Sequence, residues 1–503
     1  MGRSDGVQEP DRSAIAIIAA FLAARLAFAY ALGPGIDESY TLAVARTLSL
    51  SYFDHPPLHQ WIAHFAARAF GEGFGPRTAF VALFAATSWM LYRLTIDLFG
   101  ARAALIALFA LNVTPFFFAS AGTWIVPDGP LLFGLAIAVW ALGRLFFSEP
   151  AGRSAIWRLW LAAGAGFGVA GLSKYSAALT VAGLSAFVVL ARGGRRWLKD
   201  PAPYAAAALA LAMAIPVLVW NAEHDWASFV FQGARASPGP GLKPTQFLLM
   251  ALGEIVYLLP WIFAILVAAL AEAWRDHVDE RKFFLFCLAL PPIVLFTLTP
   301  LWGARGLPQW TMSGWFFAYP LLGARLDERA SDAALRRWAV FSGGALAAIA
   351  ALFAVQAATG FPLRFLPQRW KVTDPTLEAF AWRAEPLFAP LPAFVLSTHW
   401  SDAGKIALAL GPGVPVFAMS ADPRGWAYVA GGGALIGRDG LLVARPDEVS
   451  PARAAATACF RELGPTRLST LYRNGAAAVE LALVPVRGLT CRLPLPYPGP
   501  PGG

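Results

Sequence analysis

The sequence predicts an all-α polytopic membrane protein that carries a small mixed α/β domain after its last transmembrane helix. Of the 503 residues, 57% are hydrophobic and only 14% are charged, whereas charged residues make up about a quarter of a soluble domain. Apolar segments long enough to cross a bilayer recur between about residues 13 and 358. Residues 359–490 instead contain short β-like segments separated by turns, which predicts the separate domain.

The first apolar segment, residues 14–33, is too long for the core of a signal peptide, and we interpret it as the first transmembrane helix. Ten further segments follow, each bounded by Gly, Pro or charged residues. They lie at about 78–97, 103–120, 129–147, 157–172, 175–191, 203–220, 247–272, 283–300, 309–325 and 338–357. The sequence therefore predicts about eleven transmembrane helices in residues 1–358.

Lysine and arginine collect in every second connection between these segments. The basic connections lie near residues 93–102, 144–158, 192–199, 275–282 and 325–337. Because cytoplasmic loops hold the positive excess, they predict a cytoplasmic N-terminus, with loops 34–76, 120–129, 221–246 and 300–308 and the C-terminal domain outside. Membrane topology therefore accounts for the net charge of +9, and we expect a lipid bilayer rather than a nucleic acid as the partner.

The C-terminal domain is predicted from four β-like segments, at 393–398, 414–419, 440–445 and 477–486, and a helical segment near 402–410. The Pro- and Gly-rich residues 491–503 predict a disordered tail. Three cysteines argue against a disulfide framework. Cys459 and Cys491 are either one disulfide pair or two free thiols.

The first outer loop concentrates polar residues near the bilayer. It contains Asp37, Glu38 and Tyr40 directly after the first span, and then Asp54 and His55 in an Asp-His-Pro-Pro turn. Carboxylates at this depth are costly, which favours a functional role. The alternative is ordinary loop polarity, with Asp37 or Asp54 capping a helix.

Two later segments offer a second carboxylate and a cation. Asp128 precedes Gly-Pro and an apolar run, so it is either a helix cap or a second carboxylate of a shared site. Lys174 stands between two apolar segments, where an anionic partner is expected. That partner is either an internal carboxylate or a phosphate.

The remaining outer-face candidates are His224 and Arg235 in the fourth outer loop, the intramembrane Glu254, and Arg305 with Gln309 near the late outer helix. The aromatic residues around His224 are also typical of an interfacial helix. Together with the first-loop acids, these residues supply carboxylates for general-base or metal chemistry and cations for a phosphate. Such a set suits the departure of a lipid phosphate, on which negative charge develops.

Five segments appear in a characteristic order: Asp37-Glu38-Ser39-Tyr40, SYFDHPPL, VPDGPLLF, GLSKYSA and WNAEHDWASFVFQ. In order and spacing, over about residues 14–325, they resemble the bacterial branch of the GT-C membrane glycosyltransferases. These are relatives of the protein O-mannosyltransferases and of the lipid A aminoarabinose transferases. The C-terminal domain also resembles the small periplasmic domain of this branch, less specifically.

The resemblance implies a GT-C fold in the bacterial inner membrane and a hexosyl- or pentosyltransferase that uses a polyprenyl-phosphate-linked sugar. Transfer is expected at the periplasmic face, with inversion, to lipid A or lipopolysaccharide, another glycan or glycolipid, or a protein.

Asp37 matches the base or acceptor-orienting acid, with Glu38 beside it, and Asp128 matches the second acid. The donor-phosphate candidates are Lys174, Arg235 and Arg305, and the candidates for the donor and acceptor loops are Tyr40, Asp54, His55, His224, Glu254 and Gln309. The resemblance leaves a divalent metal open, with Glu38 and His55 as its candidate ligands.

The sequence departs from the family pattern at two positions. Gln309-Trp310 stands where relatives commonly have His-Trp, which weakens the metal expectation, and Glu254 stands where they often have glutamine. The main alternative is a transporter or flippase for a lipid-linked substrate, but transporters place functional polar residues near the bilayer midplane. An inactive member retained as an assembly scaffold is a third alternative.

Overall fold

The computed structural model describes residues 9–237, 239, 241–304, 306–367, 375–377, 379–383, 388, 390–429 and 432–497. The chain divides into two units. The helical unit comprises Met1–Ala27, His55–His59 and Arg77–Ala348, and the mixed unit comprises Phe28–Asp54, Gln60–Pro76 and Ile349–Gly503. The first outer loop is therefore divided between the two units.

Helices dominate residues 9–359, as predicted. In chain order they are α1 Glu9–Ala31, α2 Ile36–Ala45, α3 Leu58–Phe70, α4 Gly75–Phe99, α5 Ala101–Val113, α6 Ala121–Thr123, α7 Asp128–Phe147, α8 Arg153–Gly171, α9 Ala177–Leu190, α10 Pro201–Met213, α11 Ile215–Glu223, α12 Ala227–Ala236, α13 Pro244–Leu258, α14 Pro260–Arg275, α15 Glu280–Leu298, α16 Met312–Trp315, α17 Ala318–Arg329 and α18 Asp332–Thr359. All eleven predicted apolar segments fall on helices, and the first outer loop also folds into two, α2 and α3.

Helix length and composition do not confirm the predicted number of about eleven spans. Within the described residues, five helices are long and apolar enough to cross a membrane: α1, α4, α7, α15 with its following turn, and α18. The number rises to eight if three bent pairs each count as one span: α5 with residues 116–123, α10 with α11, and α13 with α14. The predicted span 247–272 is bent by 103°, because Leu259 has a φ of 64° and Pro260 cannot continue the backbone hydrogen bonding of α13.

A buried arginine, which the sequence reading treated as part of an apolar segment, connects α1 to a π-helical turn at Phe116–Ser120. The Arg25 guanidinium donates to Asn112 Oδ1 at 2.8 Å and to the carbonyl oxygens of Phe117 and Phe118 at 3.2 and 3.3 Å. It also lies 4.5 Å from the ring centroid of Phe84. Arg25 therefore satisfies backbone oxygens where the helix is irregular.

The C-terminal domain contains helices α19 Trp400–Leu410 and α20 Val449–Ala456, and strands β1 Val395–Ser397, β2 Val416–Ala418, β3 Gly440–Ala444, β4 Phe460–Leu463, β5 Arg467–Arg473 and β6 Ala476–Leu489. The sheet has the order β2-β1-β3-β6-β4, and β5 also pairs with β6. Strand β1 runs parallel to β2 and β3, whereas β3, β4 and β5 are antiparallel to β6. Four strands lie in the predicted segments. The other two, β4 and β5, were missed because charged residues interrupt their apolar pattern.

The two faces of this sheet pack against different partners. One face, which includes Leu396, Leu442 and Val484, packs with residues of α20. On the other face, Val395, Val443 and Leu483 share a core with residues of α19 and of the first-loop helix α2. Alternate residues of a strand point to opposite faces, so both layers can be served by the same strands. Helix α2 is thereby held inside the mixed unit.

Cys459 and Cys491 form a disulfide, with their Cα atoms 4.8 Å apart. The segment after it contacts the domain: Leu493 is buried, and the ring of Tyr497 lies 4.5 Å from that of Phe53. The prediction of disorder from residue 491 is therefore wrong for residues 491–497, because the sequence did not decide between a disulfide and free thiols. Residues 498–503 lie outside the described part of the chain.

Candidate functional site

The acidic pair of the first loop occupies the first turn of α2, and its two carboxylates have different surroundings. Glu38 is buried, and its Oε2 accepts the backbone N–H of Gly35 at 2.9 Å, so this carboxylate secures the start of the helix. Asp37 is exposed. A carboxylate at this position is also favoured by the helix dipole. Asp37 is therefore the accessible acid of the pair.

Tyr40 and Asp54 are brought together in the mixed unit, and both are buried. The Tyr40 hydroxyl donates to Asp54 Oδ1 at 2.5 Å, and it accepts the backbone N–H of Gly425 at 2.8 Å. Arg424 Nη1 lies 3.6 Å from Asp54 Oδ2. The Asp54 carboxylate therefore bonds to a tyrosine and pairs with an arginine of the C-terminal domain.

Burial dominates the electrostatics of this pair. It raises the pKa of Asp54, and the positive charge of Arg424 and the hydrogen bond from Tyr40 oppose that rise. The pKa of Tyr40 is raised well above its usual value, by burial first and then by the negative charge of Asp54. Tyr40 is thus a hydrogen-bond donor and not a proton source for chemistry.

His55 and His59, in the helical unit, have ring centroids 5.8 Å apart. Burial lowers the pKa of His59 to about 3, and Lys174 acts in the same direction, whereas a hydrogen bond to the backbone of Pro56 opposes them. His59 is therefore a neutral imidazole at physiological pH. Among the residues that the structure describes, no group of three or more His, Cys, Asp or Glu side chains is arranged to hold a metal ion. Glu38 and His55 thus belong to no such group in the described part of the chain.

Asp128, which is buried, and Lys174, which is partly buried, form an ion pair in the helical unit. Lys174 Nζ lies 2.9 Å from Asp128 Oδ1. Helix α7 begins at Asp128, but no side-chain cap bond is formed at its N-cap, Pro127. Of the partners considered for Lys174, the structure contains the internal carboxylate. The backbone of the same region is joined to the first outer loop, because the Leu58 N–H donates to the Leu172 carbonyl oxygen at 2.9 Å.

The fourth outer loop turns sharply between α11 and α12. Asp225 and Trp226 both have positive φ, at 52° and 57°. His224 stacks on Trp220, with their ring centroids 4.2 Å apart, and the Tyr175 and Ser228 hydroxyls lie 2.7 Å apart. The loop is thereby joined to the segment that follows Lys174.

Arg235 and the Gln309-Trp310 segment are also brought together in the helical unit. The Arg235 guanidinium lies 5.0 Å from the Trp310 ring centroid and 5.3 Å from that of Phe231. Gln309, which is partly buried, directly precedes this tryptophan. Arg305, the other late basic candidate, lies outside the described residues.

Glu254 is buried at the end of α13, near the bend at Leu259. Its Oε1 accepts the Thr297 hydroxyl at 2.7 Å, and its Oε2 accepts the Trp315 indole N–H at 2.9 Å. These contacts give Glu254 a structural position between α13, α15 and α16. They do not join it to another predicted site residue.

Arg424, which pairs with Asp54 beside Tyr40, was not predicted from the sequence. It lies in the Asp-Pro-Arg-Gly segment, which the sequence indicates only as a turn. Its φ is 50°, and no spacing rule connects it to Asp54, 370 residues earlier in the chain. A pairing between a loop acid and a distant turn depends on the tertiary fold.

The chain is similar to known proteins in part of its sequence and in its fold. Residues 54–220 match the family model described as dolichyl-phosphate-mannose-protein mannosyltransferase. A curated relative, the lipid A galacturonosyltransferase RgtD of Rhizobium johnstonii, is 25% identical over 272 residues, which are 52% of this chain and 54% of that protein. The chain thus matches about half of the length of that relative.

The fold is similar to that of ArnT from Cupriavidus metallidurans. The apo structure matches with a TM-score of 0.63 at 16% identity, over 94% of this chain and 98% of that one. The structure of ArnT bound to undecaprenyl phosphate matches with a TM-score of 0.61 at 16% identity, over 93% and 97% of the two chains. The family match and the shared fold confirm the resemblance to the GT-C membrane glycosyltransferases that was inferred from the sequence.

Proposed function

We propose that the protein transfers a sugar from a polyprenyl-phosphate-linked donor to an acceptor hydroxyl or amine, with inversion at the anomeric carbon. The observation that carries this proposal is the accessible carboxylate of Asp37 at the start of α2, in a chain with an ArnT-like fold. The relative that is named a lipid A galacturonosyltransferase and the ArnT structure bound to undecaprenyl phosphate support the substrate class.

Asp37 is assigned the role of base. The acceptor hydroxyl gives its proton to the Asp37 carboxylate as its oxygen bonds to the anomeric carbon, and the bond from that carbon to the phosphate oxygen breaks. Polyprenyl phosphate leaves with the bonding electrons. Attack opposite to the leaving phosphate produces the inversion. Glu38 stabilises the helix start instead, because its carboxylate already accepts the Gly35 N–H.

Asp128 and Lys174 are assigned to the donor phosphate as a unit. An ammonium group has three N–H donors, and one of those of Lys174 is directed at Asp128. The carboxylate holds the ammonium in place, and the remaining N–H groups bind phosphate oxygens. Arg235 and Arg305 supply further positive charge in this proposal. The loops around the donor and the acceptor are shaped in this proposal by Tyr40, Asp54, His55, His224 and Gln309. No step is assigned to a metal.

The membrane arrangement is proposed from the distribution of basic loops. The chain lies in the bacterial inner membrane with its N-terminus in the cytoplasm, and the outer loops and C-terminal domain in the periplasm. A reporter enzyme fused after residue 360 tests this directly. Activity of a periplasm-specific reporter is expected, and activity of a cytoplasm-specific one would reverse the topology.

The reaction is tested by incubating the purified protein with a panel of polyprenyl-phosphate hexoses and pentoses and with lipid A, glycan or peptide acceptors. We expect one donor to be consumed only when an acceptor is present. Asp37→Asn should abolish transfer without reducing membrane insertion. Asp447→Asn, which alters an exposed carboxylate of the C-terminal domain, is the matched control and should transfer at the unaltered rate. Transfer by Asp37→Asn at that rate would remove Asp37 from the mechanism.

A further inference from the structure

Arg424, in a turn of the C-terminal domain, contacts the buried Asp54 of the first loop. The Arg424 guanidinium lies 3.6 Å from the Trp400 ring centroid, and its Nη1 lies 3.6 Å from Asp54 Oδ2. Its Nε also lies 3.5 Å from Asp422 Oδ2. The planar guanidinium can stack on an aromatic ring and serve carboxylates at its edge at the same time, which an ammonium group cannot do.

The next residue binds the other half of the same pair. The Gly425 N–H donates to the Tyr40 hydroxyl, and a Cβ atom at position 425 would lie only 2.4 Å from that oxygen. Tyr40 also packs edge-on against Trp400 and Trp426, at 5.3 and 6.1 Å between ring centroids. Two consecutive residues of one turn thus hold both Asp54 and Tyr40.

Tyr40 lies three residues after Asp37 on α2, about one helical turn away. Fixing the tyrosine side chain therefore fixes the rotation of this short helix about its axis. A carboxylate at roughly 6 Å from the axis moves by about 1.5 Å when a helix rotates by about 15°. A displacement of about 1 Å at a reacting group can lower a rate by about 100-fold.

We propose that Arg424 is a positioning residue: through Asp54 and Tyr40 it sets the orientation of α2 and so the direction of the Asp37 carboxylate. This inference rests on the proposed catalytic role of Asp37. Arg424 does not contact the substrate in this arrangement. Its contribution is to hold the base in the direction required for proton transfer.

Other contacts keep α2 attached to the domain when Arg424 is altered. A Cβ atom at Gly404 of α19 would lie 2.7 Å from the Tyr40 backbone nitrogen, so the two helices approach closely. Lys405 Nζ, also on α19, donates to the carbonyl oxygens of Pro34 and Phe380. Loss of the Arg424 charge should therefore change the orientation of α2 rather than release the helix.

The kinetic test compares Arg424→Gln with Arg424→Lys. We expect Arg424→Gln to lower kcat about 10- to 100-fold while the KM for the donor changes less than about 2-fold, and Arg424→Lys to recover part of the loss. The matched control is Arg445→Gln, which removes an arginine paired with Asp402 in the same domain and should leave kcat unchanged. An unchanged kcat in Arg424→Gln would overturn the inference.

A second readout does not depend on activity. A spin label is attached at Asp37→Cys, an exposed position, and its mobility is measured with Arg424 present and with Arg424→Gln. We expect greater mobility in the altered protein, and unchanged mobility would overturn the positioning role whatever the value of kcat. If no donor is transferred by the unaltered protein, the proposed function fails, and the spin-label comparison still decides whether Arg424 orients α2.

Discussion

The ammonium group of Lys174 lies 2.9 Å from Asp128 Oδ1, and the two side chains are only 11% and 10% exposed. Such a pair gains little stability over an apolar replacement, but removing one partner leaves a buried charge without compensation. The pairing therefore explains how two charged residues can lie beside apolar segments. The sequence alone could not decide between this pairing and a phosphate contact.

Lys174→Met should lower stability by about 3–5 kcal/mol, because the Asp128 carboxylate is left buried without its cation. Asp128→Asn combined with Lys174→Met should recover much of that loss. The thermal unfolding midpoint in detergent measures both effects. If Lys174→Met leaves the midpoint unchanged and only raises the KM for the donor, the ion pair has no structural role and Lys174 acts only on the phosphate.

His59 should make the protein sensitive to acid. Its pKa is lowered from 6.5 to about 3 in the folded protein, so the unfolded chain takes up a proton first. The destabilisation is absent above pH 6.5 and grows as the pH falls towards 3, reaching about 2 kcal/mol at pH 5. His59→Gln should therefore reduce the loss of thermal stability between pH 7.5 and pH 5.

The matched control for this prediction is His277→Gln, because His277 is exposed. It should lose stability on acidification as much as the unaltered protein does. Equal acid sensitivity of His59→Gln and His277→Gln would show that the buried imidazole is not the group responsible.

Glu254→Gln should be tolerated, whereas Glu254→Leu should not. The glutamine carbonyl can accept the Trp315 N–H, and its amide can donate to the Thr297 hydroxyl, so both groups keep a partner. Leucine leaves the buried indole N–H without an acceptor, at about 1–3 kcal/mol, and it also removes the acceptor of the partly buried Thr297 hydroxyl. Thermal midpoints of the two variants are compared, and equal losses would contradict the structural assignment of Glu254.

Local patterns predicted most of the fold. Apolar length identified eleven segments that all fall on helices, but not the loop helices α2, α3 and α12, and the alternating runs identified β1, β2, β3 and β6. Local patterns could not predict whether a helix is continuous. The bend at Leu259 depends on a single positive φ, and a 26-residue apolar window does not indicate where the helix breaks.

The candidate site was predictable in its residue types but not in its pairings. Asp128 and Lys174 were predicted because charged residues beside apolar segments are costly in a membrane. Their contact with each other is seen only in the structure. Arg25 was missed because it is a single cation in the otherwise apolar segment 14–33, and because its partners include backbone oxygens, which the sequence does not reveal. Arg424 was missed because the sequence of a polar turn in the C-terminal domain does not indicate a contact with Asp54.

The Cys459–Cys491 disulfide should stabilise the C-terminal domain and retain the segment that carries Tyr497. Closing a loop of 32 residues contributes about 3–4 kcal/mol in the chain-entropy model. Cys491→Ser should lower the thermal midpoint of the domain, and it should make Tyr497 more accessible, since its ring otherwise contacts Phe53. Differential scanning calorimetry with and without reductant measures the first effect, and limited proteolysis at the C-terminus measures the second.

Cys459→Ser combined with Cys491→Ser is the control, because reductant should not change its midpoint. A midpoint that still falls with reductant in this double variant would show that the effect of the reductant does not come from the disulfide.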